Sequence, residues 1–263
     1  MTGRFAIVAD DRAGWVVLLD GFPQSHVNLD DPLDLAFEYV VLAAAAIDAV
    51  LPGPDRLRVT HVGGGGLTLP RWIDATRPGS PQIVLEPDGA LTQAVRSALP
   101  LPRGHRIRVR EMDGVGGVAA LASASADLLI VDAFEQGRVP AELGALPFLG
   151  DCARVLGETG VLVLNLADES DGRYVDRVAA GLRATGLTST VLLATTDVAK
   201  QRRFGNRILL GSARPLDRPA LDRQLRGLAW PARAYPARPA RPFSTDAMPS
   251  PPPPPLERAW RVR

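Results

Sequence analysis

Four places along the chain join glycines or carboxylates to the end of an apolar segment, and these residues could do chemistry. They are Gly63 to Gly66 after the run ending at Val62, Glu86 before Pro87-Asp88, Asp113-Gly114, and Asp132 to Glu135. Glycines let the backbone turn sharply and approach a ligand with no Cβ in the way. An acidic side chain about twenty residues further on can accept the hydroxyls of a ribose. A carboxylate at the end of a buried strand is costly without a partner. One such Asp reads as a helix cap; four ends of this character read as a polar ligand site in a shared crevice. The glycines also restrict the ligand. No GK[ST] follows them, which excludes a P-loop, and GGGGLT over 63–68 does not complete GxGxxG because Thr68 holds the last position. The chemistry that remains is the binding of a nucleoside with no phosphate to grip, S-adenosylmethionine or a relative of it.

Bringing four such ends together requires parallel strands. Apolar segments predict strands at 57–62, 81–86, 106–111, 126–132 and 159–166, with helices at 67–76, 88–98, 116–123, 140–155 and 173–185 between them. Strands alternating with helices imply βαβ units whose ligand lies beyond the carboxyl ends of the strands, at a topological switch point. Segments 189–195 and 207–211 have no helix between them and predict a terminal antiparallel pair. The fold class expected is therefore α/β, a methyltransferase-type Rossmann sheet of about seven strands. Before it, 5–9 and 15–20 flank the turn-prone Asp10-Asp11-Arg12-Ala13-Gly14 and predict a small N-terminal β-hairpin region over 1–33. A helix over 34–50 is expected next, with Asp34 as its cap and Pro52-Gly53-Pro54 as its stop.

Composition divides the chain at Ser212. Residues 1–212 hold 20 basic and 25 acidic residues, whereas 213–263 hold 10 arginines and 4 acids together with 12 of the 24 prolines. The nucleoside-binding domain is thus expected over 34–212, and 213–263 as a Pro/Arg-rich tail, disordered or extended. That tail reads as an electrostatic or proline-rich arm, or as low-complexity sequence; 29 of the 30 basic residues in the whole chain are arginine, which favours the latter. It has few aromatics and no recognition fold for nucleic acid. The only cysteine, Cys152, permits no internal disulfide, and the first residues lack the basic start and apolar core of a signal peptide, so a reducing, cytoplasmic setting is expected. The apolar run 40–50 is too short for a bilayer and carries Asp48, which argues against membrane insertion.

Taken in order, the motifs resemble those of the spermidine synthase family, the aminopropyltransferases that use decarboxylated S-adenosylmethionine, and look closest to its actinobacterial spermidine synthase-like branch. Leu19 to Gln24 is similar to LDGxxQ, Val62 to Ile73 to IGGGDGGxLREV, Val84 to Asp88 to VEID, Met112-Asp113-Gly114 to GDG, and Ile130 to Glu135 to the catalytic DxxDP box. The resemblance spans roughly 15–212. It implies that Gln24 touches the nucleoside, that Gly63, Gly64 and Gly65 pass beneath its methionine-derived part, and that Glu86 holds the ribose. It also implies Asp113, with Gly114, at the adenine amino group, and Asp132 as the catalytic acidic residue with Glu135 beside it. The co-substrate it implies is decarboxylated S-adenosylmethionine or S-adenosylmethionine, with a small-molecule acceptor such as an amine and a homodimer as the assembly. No metal is expected: a sulfonium already leaves readily, and His26, His61 and His105 show no ligand spacing.

Three positions depart from the family pattern. Gly66 stands where the family has an Asp at the aminopropyl end, which removes a carboxylate from the acceptor side. Glu135 replaces the second Asp of the box and adds a methylene. Lys200 to Asn206, carrying Lys200, Arg202 and Arg203, replaces a Tyr-Pro-Ser-Gly segment. This basic segment reads as an exposed turn; were it to face the crevice, three cations would repel a dicationic acceptor. Aminopropyl transfer is the first reading. The alternatives are S-adenosylmethionine-dependent methyl transfer on the same fold and a non-catalytic binding module.

Overall fold

The structure is a computed structural model, and it describes residues 5–11, 14–168, 171–245 and 247–253. Part of the expected 10–14 turn, the end of the Pro251 to Pro255 run and the last residues of the expected tail lie outside the described residues.

The chain opens with three strands, β1 (Phe5–Ala9), β2 (Trp15–Leu19) and β3 (Phe22–Val27), that form an antiparallel sheet in the order β1-β2-β3. The expected hairpin is therefore extended by a third strand, which carries Gln24. Helix α1 (Glu38–Val50) follows, then β4 (Val59–Val62), α2 (Thr68–Thr76), β5 (Gln82–Leu85), α3 (Gly89–Ala98), β6 (Ile107–Arg110), α4 (Gly114–Ala119) and β7 (Leu128–Val131). After a 3-10 turn at Ala141–Gly144 come α5 (Leu146–Leu156), β8 (Val161–Asp168), α6 (Arg173–Ala184), β9 (Ser189–Thr195), α7 (Thr196–Ala199), β10 (Gly205–Ser212), α8 (Arg218–Arg226) and β11 (Ala232–Tyr235).

These form an eight-stranded sheet in the order β11-β9-β10-β8-β7-β4-β5-β6. The β8-β7-β4-β5-β6 half is parallel and the β11-β9-β10-β8 half is antiparallel. The chain steps outward from β4 to β6, then returns to place β7 on the other side of β4. That reversal between β4 and β7 is the switch point at which a crevice must open. Both faces of the sheet are covered. Along β8, Leu162, Leu164 and Leu166 pack with α5 and α6 on one face, while Val161 and Val163 pack with α1 and α8 on the other. A strand buried on both sides loses the period-two alternation and reads as one apolar run, as VLVLNLA does.

Two expectations need correction. Helix α1 begins at Glu38, with no side-chain cap, and not at Asp34. The Asp34 carboxylate is engaged instead by Asn28 Nδ2 at 3.1 Å, inside a turn in which Asn28 Oδ1 also accepts the N–H groups of Asp30 and Asp31. More consequentially, the sheet does not end at Ser212. Asp217 caps α8 by accepting the Ala220 N–H at 2.9 Å, and Ala220, Leu221 and Leu225 are buried in the cluster that holds α1. Strand β11 then adds to the edge of β9. Part of the expected tail is thus an integral layer of the fold. A four-residue edge strand between Pro231 and Pro236 is allowed because neither proline has to donate within the ladder.

Candidate functional site

The carboxyl ends of β4, β5, β6 and β7 open into one cavity of about 730 Å³. Its lining includes Gln24, Gly63, Gly64, Gly65, Glu86, Asp113, Gly114, Asp132 and Glu135, the residues that the family resemblance places in the site. The floor is made by the glycine loop. Gly63 has φ +94°, and a Cβ there would stand 2.1 Å from the backbone oxygen of Asp132, so β4 and β7 can approach this closely only with glycine at the junction. Gly114 is similarly confined, its absent Cβ falling 2.4 Å from Val62 Cγ1.

Glu86 is oriented by backbone. Its Oε2 accepts the N–H groups of Gly64 at 2.9 Å and Gly65 at 3.4 Å, and its Oε1 accepts that of Asp88 at 2.9 Å. A carboxylate offers about four acceptor positions, so some capacity remains toward the cavity. Asp88 and Asp113 cap α3 and α4 through Leu91 N–H and Gly116 N–H, both at 2.8 Å. The cap reading and the site reading of these aspartates are therefore both met by the same residues.

Asp132 lies at the end of a side-chain relay across three adjacent strands. Asn206 Nδ2 donates to Asn165 Oδ1 at 2.8 Å, and Asn165 Nδ2 donates to Asp132 Oδ1 at 2.8 Å. From the other side the Tyr39 phenol neighbours the Asp132 carboxylate, its hydroxyl also reaching Gln24 O at 3.5 Å. Burial raises the pKa of Asp132 above the ordinary carboxylate value, against the opposing pull of the hydrogen bonds from Asn165 and Tyr39. Burial also pushes the Tyr39 phenol well up, and the neighbouring Asp132 charge adds to it. The result is a carboxylate with a preference for taking up a proton, held at a fixed angle. Sequence reading missed Tyr39, Asn165 and Asn206 because each sits in a different element, the two asparagines on β8 and β10.

Beyond Asp132 the chain turns tightly at Glu135 to Arg138. Glu135 N–H donates to Arg138 O at 2.8 Å and Arg138 N–H to Glu135 O at 3.0 Å, with φ of +50° at Gln136 and +76° at Gly137. Positive φ at both central residues is the mirror-image turn in which Gly is favoured at the second position. Glu142, from the 3-10 turn, joins Glu135 in the same wall. With Glu111, the described lining residues contribute seven carboxylates and no Lys, Arg or His side chain.

Of the family departures, the reading of Gly66 changes and that of the basic segment as an exposed turn holds. Gly66 does not face the cavity; a Cβ there would meet Ser25 Cβ at 2.9 Å, Val27 Cγ2 at 3.0 Å and Val17 Cγ2 at 3.2 Å, under the N-terminal sheet. Its glycine thus reflects close packing and not a carboxylate withdrawn from the acceptor side. Gly66→Asp is expected to lower stability by about 1–3 kcal/mol, the usual range for overpacking a full site, with no gain in acceptor binding; chemical denaturation and calorimetry check both. The basic segment also lies elsewhere. Arg202 pairs with Asp197 at 3.3 Å, Arg203 with Glu38, and Lys200 is exposed. None of 200–206 lines the cavity.

Other aromatic, thiol and basic side chains are structural. Trp72 and Cys152 are core side chains, and Arg106, Arg108 and Arg110 point into solvent along the edge strand β6. His61 bonds Gln82 at 2.9 Å, and burial pushes its pKa down to about 4. No helix among the described residues is long and apolar enough to cross a membrane.

A doubly covered sheet ending in antiparallel strands, with a nucleoside-sized cavity at its switch point, defines a methyltransferase-type Rossmann fold. Solved structures agree: human methyltransferase-like protein 13 in complex with SAH has a TM-score of 0.54 at 23% identity, over 72% of this chain and 90% of that one. The Thermotoga maritima spermidine synthase has a TM-score of 0.61 at 18% identity, over 92% and 78%. A probable spermidine synthase from Corynebacterium glutamicum reaches a TM-score of 0.82 at 30% identity, covering 89% of this chain and 87% of that one. The chain belongs to the spermidine synthase-like family.

Curated relatives point the same way. Polyamine aminopropyltransferases of Neisseria meningitidis are 28% identical over 160 residues, 59% of this chain and 59% of theirs. The Vibrio vulnificus enzyme of the same name is 26% identical over 204 residues, 76% of this chain and 64% of its own length. The chain thus spans less than two thirds of the curated relatives it matches. No family model matches it.

Proposed function

We propose that the chain is an aminopropyltransferase that moves the aminopropyl group of decarboxylated S-adenosylmethionine to an amine acceptor. The observation that carries this is the charge of the cavity: seven carboxylates and no cation among the described lining residues. The donor carries a sulfonium and an ammonium, and a diamine acceptor is a dication, so an acidic, partly enclosed wall favours both. Ordinary S-adenosylmethionine brings a carboxylate as well, and that group finds no Arg or Lys partner in this lining.

In this reading Gln24 contacts the nucleoside and Gly63 to Gly65 run beneath its sulfur-bearing end. A ribose hydroxyl takes up the spare capacity of Glu86 or replaces the long Gly65 contact, and Asp113 with Gly114 lies at the adenine. The acceptor nitrogen attacks the methylene carbon next to sulfur, the carbon–sulfur bond breaks, and its electron pair stays on sulfur as methylthioadenosine. Asp132 orients the attacking amine and takes up its proton. Glu135 and Glu142 face the remaining positive charge of the acceptor.

Incubation with putrescine and decarboxylated S-adenosylmethionine is expected to release methylthioadenosine. Calorimetry is expected to show the decarboxylated nucleoside bound about 10-fold or more tighter than S-adenosylmethionine, the order of one unpaired charge at a partly buried site. Absence of methylthioadenosine, with S-adenosylmethionine the tighter ligand, would return the assignment to methyl transfer.

A further inference from the structure

Past β11 the chain continues as a strap, residues 236–245 and 247–253, toward the wall of the cavity. Arg238 anchors its start: its N–H donates to Asp176 Oδ1 at 2.8 Å and its Nε to Asp176 Oδ2 at 2.7 Å. Phe243 is seated midway, its ring 5.5 Å from that of Tyr174 and under the Arg177 guanidinium at 3.8 Å, while its carbonyl accepts the Leu146 N–H at 3.1 Å. The far end closes on the loop after Asp132. Ser250 is fully buried; its Oγ accepts the Val139 N–H at 2.8 Å, and its own N–H donates to Val139 O at 3.0 Å. Pro253 lies over the tight turn, where a Cβ on Gly137 would come 2.7 Å from Pro253 Cγ.

The loop held in this way connects Glu135 to Glu142. Val139 is itself buried, so its N–H and C=O need partners within the protein, and Ser250 supplies both. We propose that the C-terminal strap sets the position of the acceptor-side carboxylates, Glu135 and Glu142, with Ser250 as the positioning residue. The proposal rests on the aminopropyl-transfer reading for the identity of the acceptor. Ser250 itself touches no substrate; it acts through the backbone of Val139. The nucleoside side of the cavity is built on β3, β4, β5 and the start of α4, none of which Ser250 bonds, so the two ends of the site should respond differently to its loss.

Ser250→Ala in the full chain removes one oxygen without changing the core volume, and Pro253→Ala loosens the same contact from the turn side. Hydrogen exchange over 136–142 is expected to accelerate about 10-fold in Ser250→Ala, the order associated with one lost buried hydrogen bond, and by less in Pro253→Ala. Calorimetry with putrescine, in the presence of methylthioadenosine, is expected to show acceptor affinity falling by about the same factor, while methylthioadenosine affinity stays within about 2-fold. Unchanged exchange over 136–142 would overturn the holding role. Equal losses for both ligands would reduce Ser250 to a general structural residue. If the unaltered protein binds no putrescine, the acceptor reading fails and the positioning of acceptor carboxylates fails with it, whereas the exchange result still decides whether the strap fixes the loop.

Discussion

Asp132→Asn is expected to lower kcat for methylthioadenosine release by about 10²–10⁴-fold, the range of a positioned general base, and at the same time to make the protein more stable at neutral pH. The first effect follows from chemistry: an amide cannot take the proton of the attacking nitrogen, although its oxygen can still accept from Asn165 Nδ2. The second follows from linkage. Folding raises the pKa of Asp132 above its ordinary 3.8. The folded state therefore holds this proton more tightly than the unfolded state, and the favourable contribution is complete below the unfolded value and lost as pH rises through the folded one. Above that point a half-buried carboxylate carries a net cost that the amide does not. Asp132→Asn should unfold higher at pH 8, by roughly 2–4 °C for each 1 kcal/mol relieved in a domain of this size, and the difference should vanish in acid. Its rate profile should also lose the acid limb set by Asp132. A variant with nearly full kcat would remove Asp132 from the chemistry; one with low kcat and lower stability at pH 8 would mean that Asp132 is held for the fold.

The relay from Asn206 through Asn165 suggests why this trade is tolerated. Two neutral donors, one at 2.8 Å from Asp132 Oδ1, stabilise the carboxylate enough to keep it in place, but neither is a cation that would pin it in the ionised form. An Arg in place of Asn165 would give a stronger bond and a weaker base.

What the sequence made legible was what is local. The glycine run and Glu86 flank two short apolar strands, and a positive φ or a strand-end acid leaves its mark within a few residues. The same holds for Asp88 and Asp113, whose capping bonds reach only three residues ahead. What stayed hidden was set by register or by averaging. Asn165 meets Asp132 from 33 residues away and Asn206 meets Asn165 from 41, distances at which only the strand order decides contact. Glu142 reaches the wall because a 3-10 turn interrupts the single helix expected over 140–155. The N-terminal sheet turned Gly66 from an apparent gap in the acceptor site into a packing requirement. Helix α8 has ordinary start signals, Asp217 as cap and Pro219 in its first turn, but the prolines and arginines around it dominated a composition count over fifty residues. Averaging across a segment erased a helix that its own residues declare.

Gly63→Ala should be strongly damaging, and a matched control isolates the reason. Gly63 and Gly53 both adopt φ +94°, yet around Gly53 nothing lies within 4 Å of an added Cβ, whereas at Gly63 the Asp132 backbone oxygen would be 2.1 Å away and its carbonyl carbon 2.8 Å. Gly53→Ala thus carries only the dihedral penalty, about 1–2 kcal/mol for an L-residue held at positive φ. Gly63→Ala carries that penalty plus a clash with the main chain of Asp132 and Ala133, where no side chain can rotate away. Relief requires β4 and β7 to separate at the point where the Asp132 N–H donates to Val62 O at 2.9 Å. An added cost of about 1–3 kcal/mol is expected from overpacking alone, so urea unfolding should place Gly63→Ala well below Gly53→Ala. The molecules that still fold should be catalytically poor as well, because a shift near 1 Å in a positioned group can lower a rate by about 10²-fold. If the two alanine variants prove equally stable and equally active, the close approach of the glycine loop to Asp132 is not what fixes the base, and the floor of the site would have to be rebuilt from the Asn165 relay alone.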